Sequence, residues 1–336
     1  MFTEEVLLAV SVTDEKGRFD PSLEKEELLV LEDGVPQEIR SARRVPASVL
    51  LLVGTGGEMN PSMKTNTTRE FVARLVARLA AGDRIAAMQY GGDAEIVQDW
   101  TTDGAAALEA IRRKLSSKRG ARLAAAMRAA AARFEEMPQG NRHLVLVTDG
   151  VDDAAEGKAG LEEAVKTLLA AGVAVHVISY SRMGRRALRR VAPPVQVTGE
   201  KTRRTAADIA RELMNPAKPP VDVPDIFVTI DLDFPMRRKR AAYTRAMREG
   251  EQWLGPFAEE TGGTTLLPLS EAEMLAGSDA LARAIDSRYV VTYRPKRPLA
   301  SAASGEYRRV AVVARRVGLR ASARRGYVVT PTPARR

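Results

Sequence analysis

The chain has 336 residues, 45% hydrophobic and 28% charged, enough for one large or two moderate hydrophobic cores. Its 52 Lys and Arg against 43 Asp and Glu leave a net charge of +9, which favours anionic partners and surfaces without specifying a fold. The lack of cysteine excludes disulfides, thiol nucleophiles and thiolate metal sites. The two histidines, His143 and His176, sit inside apolar runs and read as strand residues, not catalysts.

In chain order, residues 6–13 read as a strand ending in the turn Asp14-Glu15-Lys16-Gly17. Leu28-Leu29-Val30-Leu31 and Val35-Pro36-Gln37-Glu38-Ile39 flank Asp33-Gly34 and predict a hairpin. From Ser48 the pattern changes. Ser48-Val49-Leu50-Leu51-Leu52-Val53 is an apolar run without alternation, the mark of a strand buried on both faces, and it ends in Gly54-Thr55-Gly56-Gly57-Glu58-Met59. Phe71, Leu75, Val76 and Leu79 then fall at helical spacing. Residues 84–90 and 95–100 flank Gly91-Gly92-Asp93 and predict a hairpin, hence one antiparallel edge strand. Helices are expected over 105–115 and 123–134, a buried strand over 143–147 ending in Thr148-Asp149-Gly150, a helix over 161–171 and a strand over 173–180.

Residues 182–235 carry Arg185, Arg186, Arg189, Arg190, Arg203 and Arg204 with two Pro-Pro pairs, and are expected to form an irregular basic insertion. A short helix over 205–214 and a short strand over 226–230 are expected within it. Beyond it come a basic helix over 236–247, a helix stop at Thr261-Gly262-Gly263, a strand over 264–269 and a helix over 271–285 interrupted near Gly277. Residues 289–293, 307–315 and 319–327 return to strand patterns, and 331–336 read as a frayed tail.

Strands at both ends and alternating strands and helices between them predict an α/β fold: a doubly wound, mostly parallel sheet with one antiparallel edge strand. A small antiparallel β-sandwich-like domain from the N- and C-terminal segments is expected beside it. The expected division is 1–46 and 288–330 for the β segments, and 47–287 for the α/β domain. No apolar run approaches the ~20 residues of a membrane-spanning helix, and Met1-Phe2-Thr3-Glu4-Glu5 lacks the basic lead of a signal peptide.

No catalytic constellation assembles, because both histidines lie within strands. Gly54-x-Gly56-Gly57 fails the dinucleotide spacing at Met59, and no phosphate-loop Gly-Lys-Ser or Gly-Lys-Thr follows it. The arginine clusters lack interleaved aromatics for base stacking, Tyr243 being the nearest, so nucleic acid ranks behind acidic protein as a partner.

The run Leu50 to Met59 resembles the first strand and metal-site loop of a von Willebrand factor type A domain, whose pattern there is Asp-x-Ser-x-Ser, and Leu144 to Gly150 resembles that fold's fourth strand. The segments Val12-Thr13-Asp14-Glu15-Lys16-Gly17, Leu31-Glu32-Asp33-Gly34-Val35-Pro36-Gln37, Glu259-Glu260-Thr261-Gly262-Gly263 and Arg324-Arg325-Gly326-Tyr327 are similar to the von Willebrand-related proteins of acidobacteria. The resemblance implies protein–protein interaction or adhesion without catalysis, and a divalent cation such as Mg²⁺ that accepts a partner's carboxylate. It also implies export to the periplasm or exterior, whereas a cytoplasmic protein is expected if Met1 is the true start with no leader removed.

Carried over residue by residue, the family's Asp falls on Gly54, its serines on Gly56 and Glu58, and its later threonine near Ala121; only Asp149 keeps an oxygen ligand. Arg119 and Arg122 bring positive charge to the same edge, against a bound dication. The expectation is a degenerate, metal-free loop with no cofactor, its partner-facing edge made by Gly54, Thr55, Gly56, Gly57, Glu58, Arg119, Ala121, Arg122, Asp149 and Asp152. Cation-dependent adhesion through Glu58 and Asp149, aided by Asp152 or Asp153, is one alternative. Anionic-polymer binding by the Arg-rich insertion is the other. Partner identity and oligomeric state are not legible.

Overall fold

A computed structural model describes residues 5–16, 18–56, 65–153, 157–191, 195–198, 227–230, 234–303 and 305–329. The seven residues of β4 (Ser48–Gly54) are all buried, as their unalternated apolar run predicts. Parallel neighbours flank β4: β5 (Arg84–Tyr90) on one side and β7 (Arg142–Thr148) on the other. The six-stranded sheet runs β11 (Thr265–Leu266), β8 (Val173–Ser179), β7, β4, β5, β6 (Ala94–Thr101), and β6 is the expected antiparallel edge strand.

Successive side chains of a strand point to opposite faces, so β4 feeds two cores. Leu50 and Leu52 pack with Leu144 and Leu146 beneath α3 (Leu123–Arg133), α4 (Gly157–Ala170) and the apolar face of α6 (Phe234–Glu260), which presents Leu254, Phe257 and Ala258. Val49, Leu51 and Val53 pack with Val145 and Val147 beneath α1 (Thr65–Val76), α2 (Gly104–Lys114) and α7 (Glu271–Asp286). At about 25 cal/mol per Å² of apolar surface, each buried leucine contributes roughly 2 kcal/mol.

The two chain ends pair as expected, but not into a sandwich. They form one seven-stranded antiparallel sheet, in the order β14 (Leu319–Ala323), β1 (Val6–Asp14), β12 (Arg288–Arg294), β3 (Val35–Arg43), β2 (Leu28–Glu32), β13 (Tyr307–Ala314), β15 (Gly326–Val328). β12 bonds to both β1 and β3, so terminal and C-terminal strands share a single ladder, and one core of Leu8, Val10, Val30, Val291, Tyr293 and Tyr327 lies on one side of this half-barrel. Asp33 and Gly34 take φ of 47° and 81°, the left-handed turn expected of that dipeptide between β2 and β3.

Other expectations are corrected. The predicted strand over 264–269 shrinks to Thr265–Leu266, because Pro268 cannot donate to a ladder and Ser270 caps α7 by accepting from Glu273 N at 3.2 Å. α7 continues through Gly277, where a Cβ would lie 2.7 Å from Leu266 Cδ1, so the glycine admits β11 instead of ending the helix. The predicted strand over 319–327 is two strands, broken where Arg325 N turns to donate to Glu260 O at 3.1 Å.

The basic helix and the apolar segment after it are one 27-residue α6. The irregular insertion begins with a helix, α5 (Ser181–Val191), whose Met183 packs against the core side of the sheet. Contacts divide the chain into two units, Met1–Arg185 with Tyr243–Arg336, and Arg186–Ala242. In the second unit β9 (Val195–Thr198) and β10 (Phe227–Ile230) form an antiparallel pair, and the strand predicted over 226–230 is β10. The helix expected over 205–214 lies outside the described residues.

Candidate functional site

The carboxyl ends of β4, β5, β7 and β8 converge on one edge, where open parallel sheets place their sites. Gly54 ends β4 in register with Tyr90, which ends β5. A Cβ on Gly54 would lie 2.8 Å from the Tyr90 hydroxyl, so the phenol fills the space a side chain there would need. Tyr90 reaches past Gly54 to share a 2.7 Å hydrogen bond with Thr148 Oγ1 at the end of β7. Tyr180, just beyond β8, donates to Gly54 O at 2.9 Å. Burial, with the Asp149 charge adding to it, raises the pKa of the Tyr90 and Tyr180 hydroxyls and keeps both protonated, which Tyr180 needs to donate to Gly54 O.

Thr55 is buried and turned inward, its N and Oγ1 both donating to Tyr90 O at 2.8 and 3.3 Å. Gly56 lies against the loop before α3, where a Cβ would come within 1.8 Å of Gly120 O; only glycine admits this backbone approach. Lys118 N donates to Thr55 O at 2.9 Å, Gly92 N to Arg119 O at 2.6 Å and Arg122 N to Gly91 O at 2.8 Å, tying the loop to the ends of β4 and β5.

The carboxylates of this edge hold protein amides. Asp153 accepts from Ala121 N at 2.8 Å and Asp152 from Ala124 N at 3.3 Å, which serves the N-terminus of α3, where the Arg122 side chain provides no cap. Asp149 is 6% exposed; its Oδ1 accepts from Val151 N at 3.1 Å, and its Oδ2 accepts from the Tyr243 hydroxyl. Burial raises the Asp149 carboxyl above the ordinary carboxylate range, and these hydrogen bonds oppose the rise. Tyr243 arrives because α6 crosses close to the turn after β7: a Cβ on Gly250 would lie 2.2 Å from Gly150 O.

The structure thus brings Gly54, Thr55, Gly56, Arg119, Ala121, Arg122, Asp149 and Asp152 to one edge, with Arg119 and Arg122 exposed and Ala121 buried. Gly57 and Glu58 lie outside the described residues. A Mg²⁺ ion needs about six oxygen ligands in octahedral array. Gly54, Gly56 and Ala121 offer no side-chain oxygen, and Thr55, Asp149, Asp152 and Asp153 are each engaged with protein hydrogen-bond partners. Among the described residues no group of three His, Asp or Glu side chains is placed to hold a metal ion. The described residues therefore do not fit the cation.

Sequence reasoning missed the three tyrosines and Gly250. The available signal was local: one strand ends in glycine and its neighbour ends in tyrosine. Of the basic insertion, Arg185 is not a free surface cation, since its Nη2 pairs with Glu251 at 2.8 Å beside Arg182, whose Nε also meets Glu251 at 2.8 Å. Arg186 and Arg189 are exposed on α5, nothing is described of the Arg190 side chain, and Arg203 and Arg204 lie outside the described residues. None of the described helices is long and apolar enough to cross a membrane.

Residues 49–210 match the family model of the von Willebrand factor type A domain, and this stretch of the chain is such a domain. Similar solved structures include an aerotolerance-related membrane protein from Bacteroides fragilis, 16% identical, covering 71% of this chain and 98% of that one with a TM-score of 0.42. BatB from Bacteroides thetaiotaomicron is also 16% identical, over 71% of this chain and 98% of that one, with a TM-score of 0.40. A von Willebrand factor type A protein from Catenulispora acidiphila is 13% identical over 98% of this chain and 74% of that one, with a TM-score of 0.46. No curated protein matches the chain.

Proposed function

We propose that the chain is a non-enzymatic protein-interaction module whose strand-end edge meets its partner without a divalent cation. The observation that carries this reading is the closure of the edge by the protein's own groups: the Tyr90 hydroxyl lies against Gly54, and the Tyr243 hydroxyl caps Asp149. Positive charge for a partner's carboxylate is available instead from the exposed Arg119 and Arg122.

The absence of catalysis rests on the burial of the histidines. His143, near the start of β7, and His176, in the middle of β8, are fully buried within the sheet and bond to each other at 3.0 Å. Calorimetry of chelator-treated protein with Mg²⁺ and Mn²⁺ is expected to give no saturable heat. A saturable heat that disappears in Asp149→Ala overturns the reading. In parallel, a partner recovered from the native organism should stay bound in excess chelator and be lost from Arg119→Glu/Arg122→Glu.

A further inference from the structure

Where the half-barrel sheet meets the amino ends of β7 and β8, a cavity of about 360 Å³ lies open to solvent past the exposed Glu5 and Gln139. Val6, Leu7, Ala9, Ala170, Leu299 and Val328 give it stretches of apolar wall, but more of its lining is polar than apolar, and two arginines, Arg288 and Arg324, are part of it.

Neither guanidinium has a carboxylate within ion-pair distance among the described residues. Arg288 is 4% exposed and donates only to carbonyls, from Nε to Ala284 O at 3.2 Å and from Nη2 to Gly262 O. Arg324 donates from Nη2 to Leu7 O at 3.2 Å and, at a long 3.5 Å, from Nη1 to Leu169 O. Its Nε is buried without any acceptor. Carbonyl oxygens carry only partial charge, so they satisfy donors without neutralising the cation. Burial accordingly pushes Arg288 down to about 10 and lowers Arg324 as well.

The same fold shows what a neutralised buried arginine looks like. Arg308 is wholly buried and pairs with Glu32 at 3.0 Å and Glu306 at 2.9 Å. Arg142 adds a further cation close by; it donates from Nη1 to Ala171 O, on the cavity wall, at 2.8 Å. Burial and the charge of Arg288 lower the pKa of His143 and His176 well below the ordinary imidazole value, so these rings add no further positive charge.

We propose that this cavity is a binding site for a small oxyanion, a carboxylate or a phosphate, whose charge is met by Arg288 and Arg324 and which supplies the acceptor that Arg324 Nε lacks. The guanidinium N–H groups not spent on carbonyls, Arg324 Nε among them, suit the oxygens of such a group, and Val6, Leu7 and Leu299 offer apolar wall to a short aliphatic remainder. The site is separate from the strand-end edge and does not depend on the function proposed for it.

The test is a titration of the full chain with inorganic phosphate, sulfate or butyrate at constant ionic strength set by chloride, read by the Nε–Hε resonances of the arginines. Saturable shifts of Arg324 and Arg288, with a dissociation constant on the order of 1 mM or tighter, support the site. A response to phosphate and sulfate identifies a tetrahedral anion, and a response to butyrate identifies a carboxylate with an aliphatic tail. Arg324→Gln should weaken binding at least tenfold, and the wild-type resonances report binding even if that variant folds poorly. Absence of saturation with all three anions, or equal shifts at exposed arginines such as Arg119, overturns the proposal.

Discussion

At the carboxyl ends of β4, β5 and β7, three phenol hydroxyls each find a partner within the protein: Tyr90 on Thr148, Tyr180 on Gly54 O and Tyr243 on Asp149. At the cavity by the amino ends of β7 and β8, the buried Arg288 and the partly buried Arg324 have only carbonyl oxygens as hydrogen-bond acceptors, Arg324 also lies over the Tyr327 ring, and its Nε has no acceptor. At the first end the described side chains are engaged with one another. At the second end a guanidinium nitrogen without an acceptor coincides with an open cavity. The two proposals therefore locate binding by unsatisfied charge and open volume, and not by position in the fold alone.

The largest expected effect separates the neutralised arginine from the two that are not. In Arg308→Met, Glu32 stays buried with only the Tyr293 and Tyr327 hydroxyls, at 2.9 and 2.8 Å, to face its charge. Leaving one partner of a buried pair costs about 3–5 kcal/mol. Arg324→Met removes a cation that has no counter-charge and should change stability by no more than about 1 kcal/mol. Guanidinium unfolding of both variants measures the two values; equal losses would break the distinction between the arginines.

An effect of middle size concerns the histidines beside Arg288. His143 Nε2 lies 2.8 Å from Asn141 Oδ1, its Nδ1 lies 3.0 Å from His176 Nε2, and His176 Nδ1 lies 3.0 Å from Thr264 Oγ1, a chain in which both rings are neutral. Burial, and then the Arg288 charge, holds both well below the ordinary 6.5. In the unfolded chain they take up protons as the pH falls through that value, which the native state resists. Stability is therefore full above 6.5 and declines on acidification, by about 1.4 kcal/mol per histidine near pH 5.5. Urea midpoints across this range measure the decline. With only two histidines in the sequence, their ring resonances give a direct check: either one titrating near 6.5 in the folded protein would remove the effect.

Much of the fold was legible because its central strands are buried on both faces, which Leu50-Leu51-Leu52-Val53 and Leu144-Val145-Leu146-Val147 announce without alternation. The antiparallel edge strand was legible from its Gly-Gly turn and the β2–β3 hairpin from Asp-Gly, and the pairing of the chain ends from strand patterns at both ends. The closure of the site was not, because Tyr90 meets Thr148 across 58 residues and Tyr243 meets Asp149 across 94. No local pattern encodes such a contact. Nor does composition reveal that Arg288, at the start of β12, is buried and that Arg324, between β14 and β15, is partly so, since arginine is ordinarily a surface residue. The start of α5 was obscured for a related reason, since five arginines in 182–190 suggest a solvated loop while Met183 packs inward.

The smallest expected effect tests the closed end itself. Tyr243→Phe keeps the ring and removes the hydroxyl that Asp149 accepts, and a hydrogen bond to a charged group contributes about 2 kcal/mol. Burial already raises the Asp149 carboxyl, and Tyr243 is the first group opposing that rise. The native state therefore holds a proton that the unfolded chain, with its ordinary 3.8, releases, so this carboxyl's contribution is lost as the pH rises through the folded value. Without the Tyr243 hydroxyl the folded value climbs further, and the variant's deficit should be greatest where Asp149 is ionised and shrink as the pH is lowered. Added Mg²⁺ should not restore stability, because Gly54, Gly56 and Ala121 still offer no ligand. A deficit that is constant with pH would mean that Tyr243 contributes packing alone, and a Mg²⁺-dependent rescue would mean that the phenol holds the place of a cation.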